Sequence, residues 1–209
     1  MRPCGFVLVC CLSFTMLFGQ QVYCQQGSLP EAVRVLEKDK RRKDRRGAFQ
    51  AEVLRVKDGD SLFVKSNLSE EQIRLFGIDA PELDQPFGTA SREFVAKAVL
   101  GSRVTVVPFY KDKFGRTIAV VFCADGEVLH QKLVRAGMAW WYRRYDPENK
   151  RLEELERQAR EKRMGLWSQA APLKPEEHRR HQFASGQWQV IDGVLYMTKN
   201  GKLVPEDEM

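Results

Sequence analysis

Cysteine is nearly missing from most of this chain, although a total of five hides the fact. Cys4, Cys10, Cys11 and Cys24 all fall within the first 24 residues, and Cys123 stands alone after them. One cysteine closes no internal disulfide, and no C-x-x-C pair is present to hold zinc or run redox chemistry. The histidines His130, His178 and His181 show no metal-ligand spacing and read as bystanders. No internal repeat or low-complexity tract is present, which argues against a repeat architecture. Long apolar runs are scarce as well. The stretch Gly5–Gly19 falls short of the roughly 20 residues that a membrane span needs. Charge is not one-sided: 34 Lys and Arg face 28 Asp and Glu, a formal net charge of +6 that leans only weakly towards polyanionic partners. With hydrophobic residues at 43% and charged ones at 30%, the composition is that of an ordinary folded domain rather than a disordered chain.

The beginning reads as a targeting segment. Met1-Arg2-Pro3 gives a short positive start, the apolar run follows, and Gln20-Gln21 precedes the small residues Val22 and Cys24. Residues 1–24 are therefore expected to be a secretory signal peptide, delivering the protein outside the cytoplasm or to the periplasm. An uncleaved leader acting as a membrane anchor is the alternative. A lipid attachment at Cys24 is disfavoured, because Tyr23 stands where such sites want a small residue. Residues 25–47 follow as a charged linker. In it, Lys38–Arg46 carries seven basic residues against two aspartates, read either as attraction to acidic surfaces or as a solvated connection.

From Ala48 the hydrophobic periodicity becomes informative. Strands are expected at Phe49–Val56, Ser61–Lys65, Glu71–Phe76, Arg103–Phe109 and Thr117–Cys123. Helices are expected at Thr89–Leu100, closed by Gly101, at Glu127–Ala136, closed by Gly137, and at Asn149–Arg163. The fold class is α+β. Five strands with a helix between the third and fourth suit a Greek-key barrel of OB type with three helices, whose open face commonly takes oligonucleotides. After Ser168, Pro172–His181 reads as a polar, basic connector. Gln187–Val204 reads as strands broken at D-G and N-G, a small C-terminal β appendage within an extension of residues 169–209.

The chemistry concentrates in Asp58–Glu82. Asp58 and Asp60 sit on one glycine turn, and Asp79 and Glu82 on a second turn stiffened by Pro81. Pairing of the intervening strands would bring Arg74 and Asp79 towards Asp60. Converging carboxylates suit a hard cation such as Ca²⁺, Mg²⁺ or Mn²⁺, and an arginine beside it suits a phosphate. The plainer alternative is two polar hairpin turns with a surface ion pair.

Four motifs in order, D-G-D-S, I-R-L-F-G-I-D-A-P-E, D-K-F-G-R-T and R-A-G-M-A-W-W-Y, resemble the staphylococcal-nuclease-like (thermonuclease) family from about Ala48 to the G-L-W-S ending at Ser168. The resemblance implies an OB-fold barrel and a Ca²⁺-dependent phosphodiesterase acting on single- or double-stranded DNA and RNA. Carried over residue by residue, it makes Asp60 and Asp79 metal-binding carboxylates and Ala80 a donor of its backbone carbonyl to the metal, where the family archetype has threonine. It makes Arg74 and Arg116 the phosphate-binding arginines and Glu82 the catalytic glutamate, as water activator or orienter. Asp58 supports the site, Ser61 keeps the hydroxyl of the usual threonine, and Lys113 matches a basic residue of the later turn. Tyr142, with Tyr145 beside it, resembles tyrosines of the nucleotide pocket, although the local spacing differs. The implied product is a 3′-phosphate end. A monomer with no obligate protein partner is expected. The rival reading is a non-catalytic OB-fold module that grips nucleic acid or protein, against which the intact set Asp60, Arg74, Asp79, Glu82 and Arg116 stands.

Overall fold

The computed structural model describes residues 36, 38–44, 46–184, 188–191, 194–199 and 202–205. The expected signal peptide lies outside them. Five strands, β1 (Phe49–Val56), β2 (Ser61–Lys65), β3 (Glu70–Leu75), β5 (Arg103–Lys111) and β6 (Thr117–Phe122), close a barrel in the order β1-β2-β3-β6-β5. All neighbours run antiparallel except β3 and β6, whose parallel pairing sets Ile73 against Thr117 and Arg74 against Ile118. Closing so few strands needs tight curvature, which β-bulges supply. One lies between Val53 and Arg55 and the other between Pro108 and Tyr110. The second explains how a proline sits within β5, since a bulge tolerates the missing N–H.

Alternation along the strands sends Val53, Leu62, Val64, Ile73, Leu75, Val104, Val106 and Val121 into one buried cluster. Two helices cap it: α1 (Gly88–Val99) contributes Val95 and Val99, and α2 (Leu129–Arg135) contributes Leu129 and Leu133. A third, α3 (Lys150–Glu161), adds Leu152 and Leu155 and is capped by Asn149, whose side chain accepts the Leu152 N–H at 3.0 Å. Helix α2 ends at Gly137, whose φ of +67° suits glycine. An added Cβ there would lie 2.1 Å from the Met164 carbonyl oxygen, so two chain segments depend on its bare backbone.

Strand β6 is buried along its whole length. Its outer side joins Phe76, Val107 and Phe109 in a second cluster, and the basic lead-in covers that side. Arg41 lies over the Phe76 ring at 5.0 Å, Arg42 Nε donates to the Pro108 carbonyl at 2.7 Å, and Arg46 pairs with Glu71. These three arginines are committed to the barrel.

The C-terminal extension carries a correction. Where the sequence reads as a connector, a fourth helix α4 (Pro175–Ala184) forms, so the described residues hold four α-helices rather than three. Its start was legible: proline is preorganised for the first helical position, and Glu176 and Glu177 complement the helix dipole in the first turn. The beta appendage is a separate antiparallel sheet of β8 (Trp188–Ile191), β9 (Val194–Lys199) and β10 (Lys202–Pro205), with β9 central. Its D-G and N-G turns lie outside the described residues.

Candidate active site

The β2–β3 hairpin and a two-residue pairing build the carboxylate cluster. Register places Ser61 opposite Arg74, and the Leu75 N–H donates to the Asp60 carbonyl at 2.8 Å. Beyond β3, β4 (Ile78–Asp79) pairs with β7 (Trp140–Trp141), setting Asp79 opposite Trp140. Two-residue strands leave no periodic signature, so this pairing was invisible in the sequence. It fixes Asp79 all the same.

Arg74 reaches across both strands. One guanidinium nitrogen contacts Asp60 Oδ1 and the other donates to Asp79 Oδ1 at 2.8 Å. Asp60 and Asp79 are both nearly fully buried, at 5% and 4% exposure. Two carboxylates brought this close out of water repel strongly unless a cation lies between them. The remaining oxygen of Asp60 accepts the Ala80 N–H at 2.7 Å, and Ser61 Oγ donates to Asp60 Oδ1 at 3.1 Å. Asp58 supports from behind by accepting the Asp60 N–H at 2.9 Å, and burial pushes its carboxyl above the usual range, with Arg74 working in the opposite direction. Gly59 between them has no room for a side chain: a Cβ would lie 2.0 Å from Ser91 Oγ and 2.7 Å from Ala80 Cβ.

Glu82 follows Pro81, with its N–H held by Gln85 Oε1 at 2.8 Å. About a third of its side chain stays open. Its carboxyl is raised above the ordinary glutamate range, first by desolvation, with Arg179 offsetting part of that shift and the nearby aspartates adding to it. Arg179 is the residue that sequence reasoning missed. From α4 it contacts Glu82 Oε1 through one nitrogen and Asp79 Oδ2 through the other at 3.3 Å.

The other expected residues stand on neighbouring walls. Arg116 is one residue before Thr117, the β6 partner of Ile73 beside Arg74. Its side chain pairs with Asp112 at 2.8 Å and lies over the Phe114 ring at 5.3 Å, and among the described residues it pairs with none of Asp60, Asp79 and Glu82. Lys113 is exposed on the same turn, 4.8 Å from the Phe114 ring. Tyr142 meets Tyr145 edge to face at 4.9 Å and opens onto a cleft of about 600 Å³ that also reaches Asp79, Trp140, Arg143, Arg144 and Lys174. Trp140 and Trp141 are buried, Trp140 edge-on to Trp167 at 5.8 Å, which makes them packing residues.

No group of three or more His, Cys, Asp or Glu side chains gathers as a metal cage among the described residues. The two aspartates expected to bind metal, Asp60 and Asp79, are both buried carboxylates. Oxygen donors of this kind fit Ca²⁺ or Mg²⁺ and not a structural zinc.

Residues 72–169 match the family described as "Staphylococcal nuclease homologue". An uncharacterized endonuclease of Escherichia coli O157:H7 is 41% identical over 123 residues, covering 59% of this chain and 80% of that protein. The chain belongs to the staphylococcal nuclease family. A micrococcal nuclease of Shigella flexneri is 36% identical over 141 residues, which is 63% of this chain and 81% of that protein. The staphylococcal-like nuclease CAN1 of Arabidopsis thaliana shares 36% over 110 residues, 53% of this chain but 33% of the longer plant protein. The family match ends at residue 169, so α4 and Arg179 lie beyond it.

Proposed function

We propose that the chain is a Ca²⁺-dependent endonuclease that hydrolyses phosphodiester bonds of DNA and RNA. The observation that carries this reading is the convergence of buried Asp60 and Asp79 on Arg74, with Glu82 tied to the same cluster. The relatives named as nucleases support the same direction.

A phosphodiester resists attack because its anionic oxygens repel a nucleophile. Catalysis therefore needs positive charge focused on those oxygens in a cleft where water is scarce. Bound at Asp60, Asp79 and the Ala80 carbonyl, Ca²⁺ would supply part of that charge as a Lewis acid. Arg74 offers its planar fork to a phosphate placed beside it, and Arg116 approaches from the β5–β6 turn once it leaves Asp112. Glu82 orients or deprotonates the attacking water. The water oxygen bonds to phosphorus, the bond to the 5′ oxygen breaks, Glu82 takes the water proton and the departing oxygen is protonated from solvent. The products are a 3′-phosphate and a 5′-hydroxyl end. Asp58 and Ser61 hold Asp60 in place, while Lys113 and Tyr142 flank the path of the strand.

Residues 1–24 serve, in the same reading, to export a monomeric enzyme, with residues 25–47 and 169–209 flanking the catalytic domain. The positive start and apolar run support export, and N-terminal sequencing of the protein recovered outside the cytoplasm tests it. The activity is tested with the chain lacking residues 1–24, single-stranded DNA, and either Ca²⁺ or a chelator. Cleavage that the chelator abolishes is expected. Retained binding without Ca²⁺-dependent cleavage would instead support the OB-fold binding module.

A further inference from the structure

Every oxygen of the two aspartates already has a partner, and the partners differ in kind. Asp60 Oδ1 is taken by Arg74 and Ser61, Asp60 Oδ2 by the Ala80 N–H, and Asp79 Oδ1 by Arg74. All of these groups sit on the barrel or the turn beside it. Asp79 Oδ2 is held by Arg179, which also holds Glu82. That guanidinium comes from α4, outside the strand framework. It bridges Asp79 and Glu82, the proposed metal ligand and the proposed water-handling glutamate.

We propose that Arg179 is a tethered counter-cation that competes with the divalent metal for Asp79 and Glu82, so that the C-terminal helix sets the metal affinity of the site. This rests on the metal reading of Asp60 and Asp79 given above. Three observations support it. The contact is bidentate across two different carboxylates, which one point charge on a loose tail would not hold. Arg179 also occupies Glu82 Oε1, one of the two oxygens through which that carboxylate could meet water. And α4 has contacts of its own besides the carboxylate pair: His178 Nε2 lies 3.1 Å from Asp84, and Gln182 donates to the same carboxylate at 2.5 Å. The helix can therefore stay near the site while Arg179 swings off Asp79. A divalent ion brings two positive charges to the place where Arg179 brings one. Repulsion between them makes the two occupants mutually exclusive at close range.

The test is calorimetric titration of Ca²⁺ into the chain lacking residues 1–24, stripped of metal, without nucleic acid. Arg179→Ala should tighten Ca²⁺ binding on the order of tenfold, the low end of typical coupling between sites. Arg179→Lys, which keeps a charge but loses the fork, should fall between that variant and the parent. His178→Ala with Gln182→Ala loosens the helix without touching the carboxylate pair, and should shift affinity the same way by a smaller factor. Circular dichroism and tryptophan fluorescence show whether the barrel stays folded in each variant. Unchanged or weaker Ca²⁺ binding in folded Arg179→Ala would overturn the proposal while leaving the metal centre standing. Absence of Ca²⁺ binding in the parent and all variants would overturn the metal centre itself, and this proposal with it.

Discussion

The two halves of the site are built to different standards. Arg74 and Asp79 stand on paired strands and Asp60 on the turn leading into β2, where its carbonyl accepts the Leu75 N–H; both aspartates are nearly fully buried. Arg179 reaches the same cluster from α4, with about a third of its side chain open to solvent. The strand-borne groups cannot move without breaking the barrel. The helix-borne group, itself about a third open to solvent, can leave without disturbing a strand pairing. Permanent geometry and removable charge are thus held in separate parts of the fold, and substitutions in each half should behave differently.

The largest effect should come from the strand half. Arg74→Ala is expected to lower turnover by about 10²–10³-fold, the loss usual for one preorganised electrostatic donor. Without metal it should also destabilise the fold by about 3 kcal/mol, because Asp60 and Asp79 are then buried without that cation. Added Ca²⁺ should restore part of that loss, as chemical denaturation with and without the ion can show. A stability loss that ignores Ca²⁺ would mean that the carboxylates do not hold it.

A comparable effect away from the site concerns His130, which is buried on α2 with no hydrogen-bond partner for Nδ1 among the described residues. Burial pushes its pKa down to about 4, with Asp146 opposing the shift. A folded value below the unfolded one means the unfolded chain binds the extra proton. Its contribution is therefore complete above about pH 6.5 and is lost as the pH falls towards 4, amounting to roughly 3 kcal/mol. His130→Leu should flatten the acid side of the stability profile by about one proton. An unchanged slope would place the acid sensitivity elsewhere.

The helix half should respond weakly. His178→Ala with Gln182→Ala is expected to lower global stability by about 1 kcal/mol or less, since these contacts lie outside both core clusters of the barrel. A loss of several kcal/mol would show that α4 is part of the cooperative core and would erase the contrast. Smaller still is the response of Cys123 to alkylation. Its thiol is buried and pushed up to about 11, so native protein should be nearly inert to iodoacetamide at neutral pH and react once unfolded.

The same contrast governs what could be read from sequence. Period-two alternation and β-branched runs revealed all five barrel strands, and Gly137 and Asn149 marked helix ends, because those signals are local. Asp60, Arg74 and Asp79 were legible as a cluster because one hairpin and one turn bring them together. The β4–β7 pairing is too short to leave a pattern, yet it orients Asp79. Arg116 was expected beside the phosphate, and the structure pairs it with Asp112 on its own turn, four residues away. Arg179 lies 100 residues from Asp79 in the chain. No periodicity links the two, and a basic helix on a polar background looks like a connector. Pro175 followed by two glutamates was the one local signal of that helix.

Amide hydrogen exchange on addition of Ca²⁺ compares the two halves in one measurement. Because coupling is reciprocal, an ion that Arg179 opposes must in turn weaken the docking of α4. Faster exchange across Pro175–Ala184 is expected when Ca²⁺ is bound, with slower or unchanged exchange in β2, β3 and β4. Protection of α4 by Ca²⁺, or faster exchange in the strands, would contradict it.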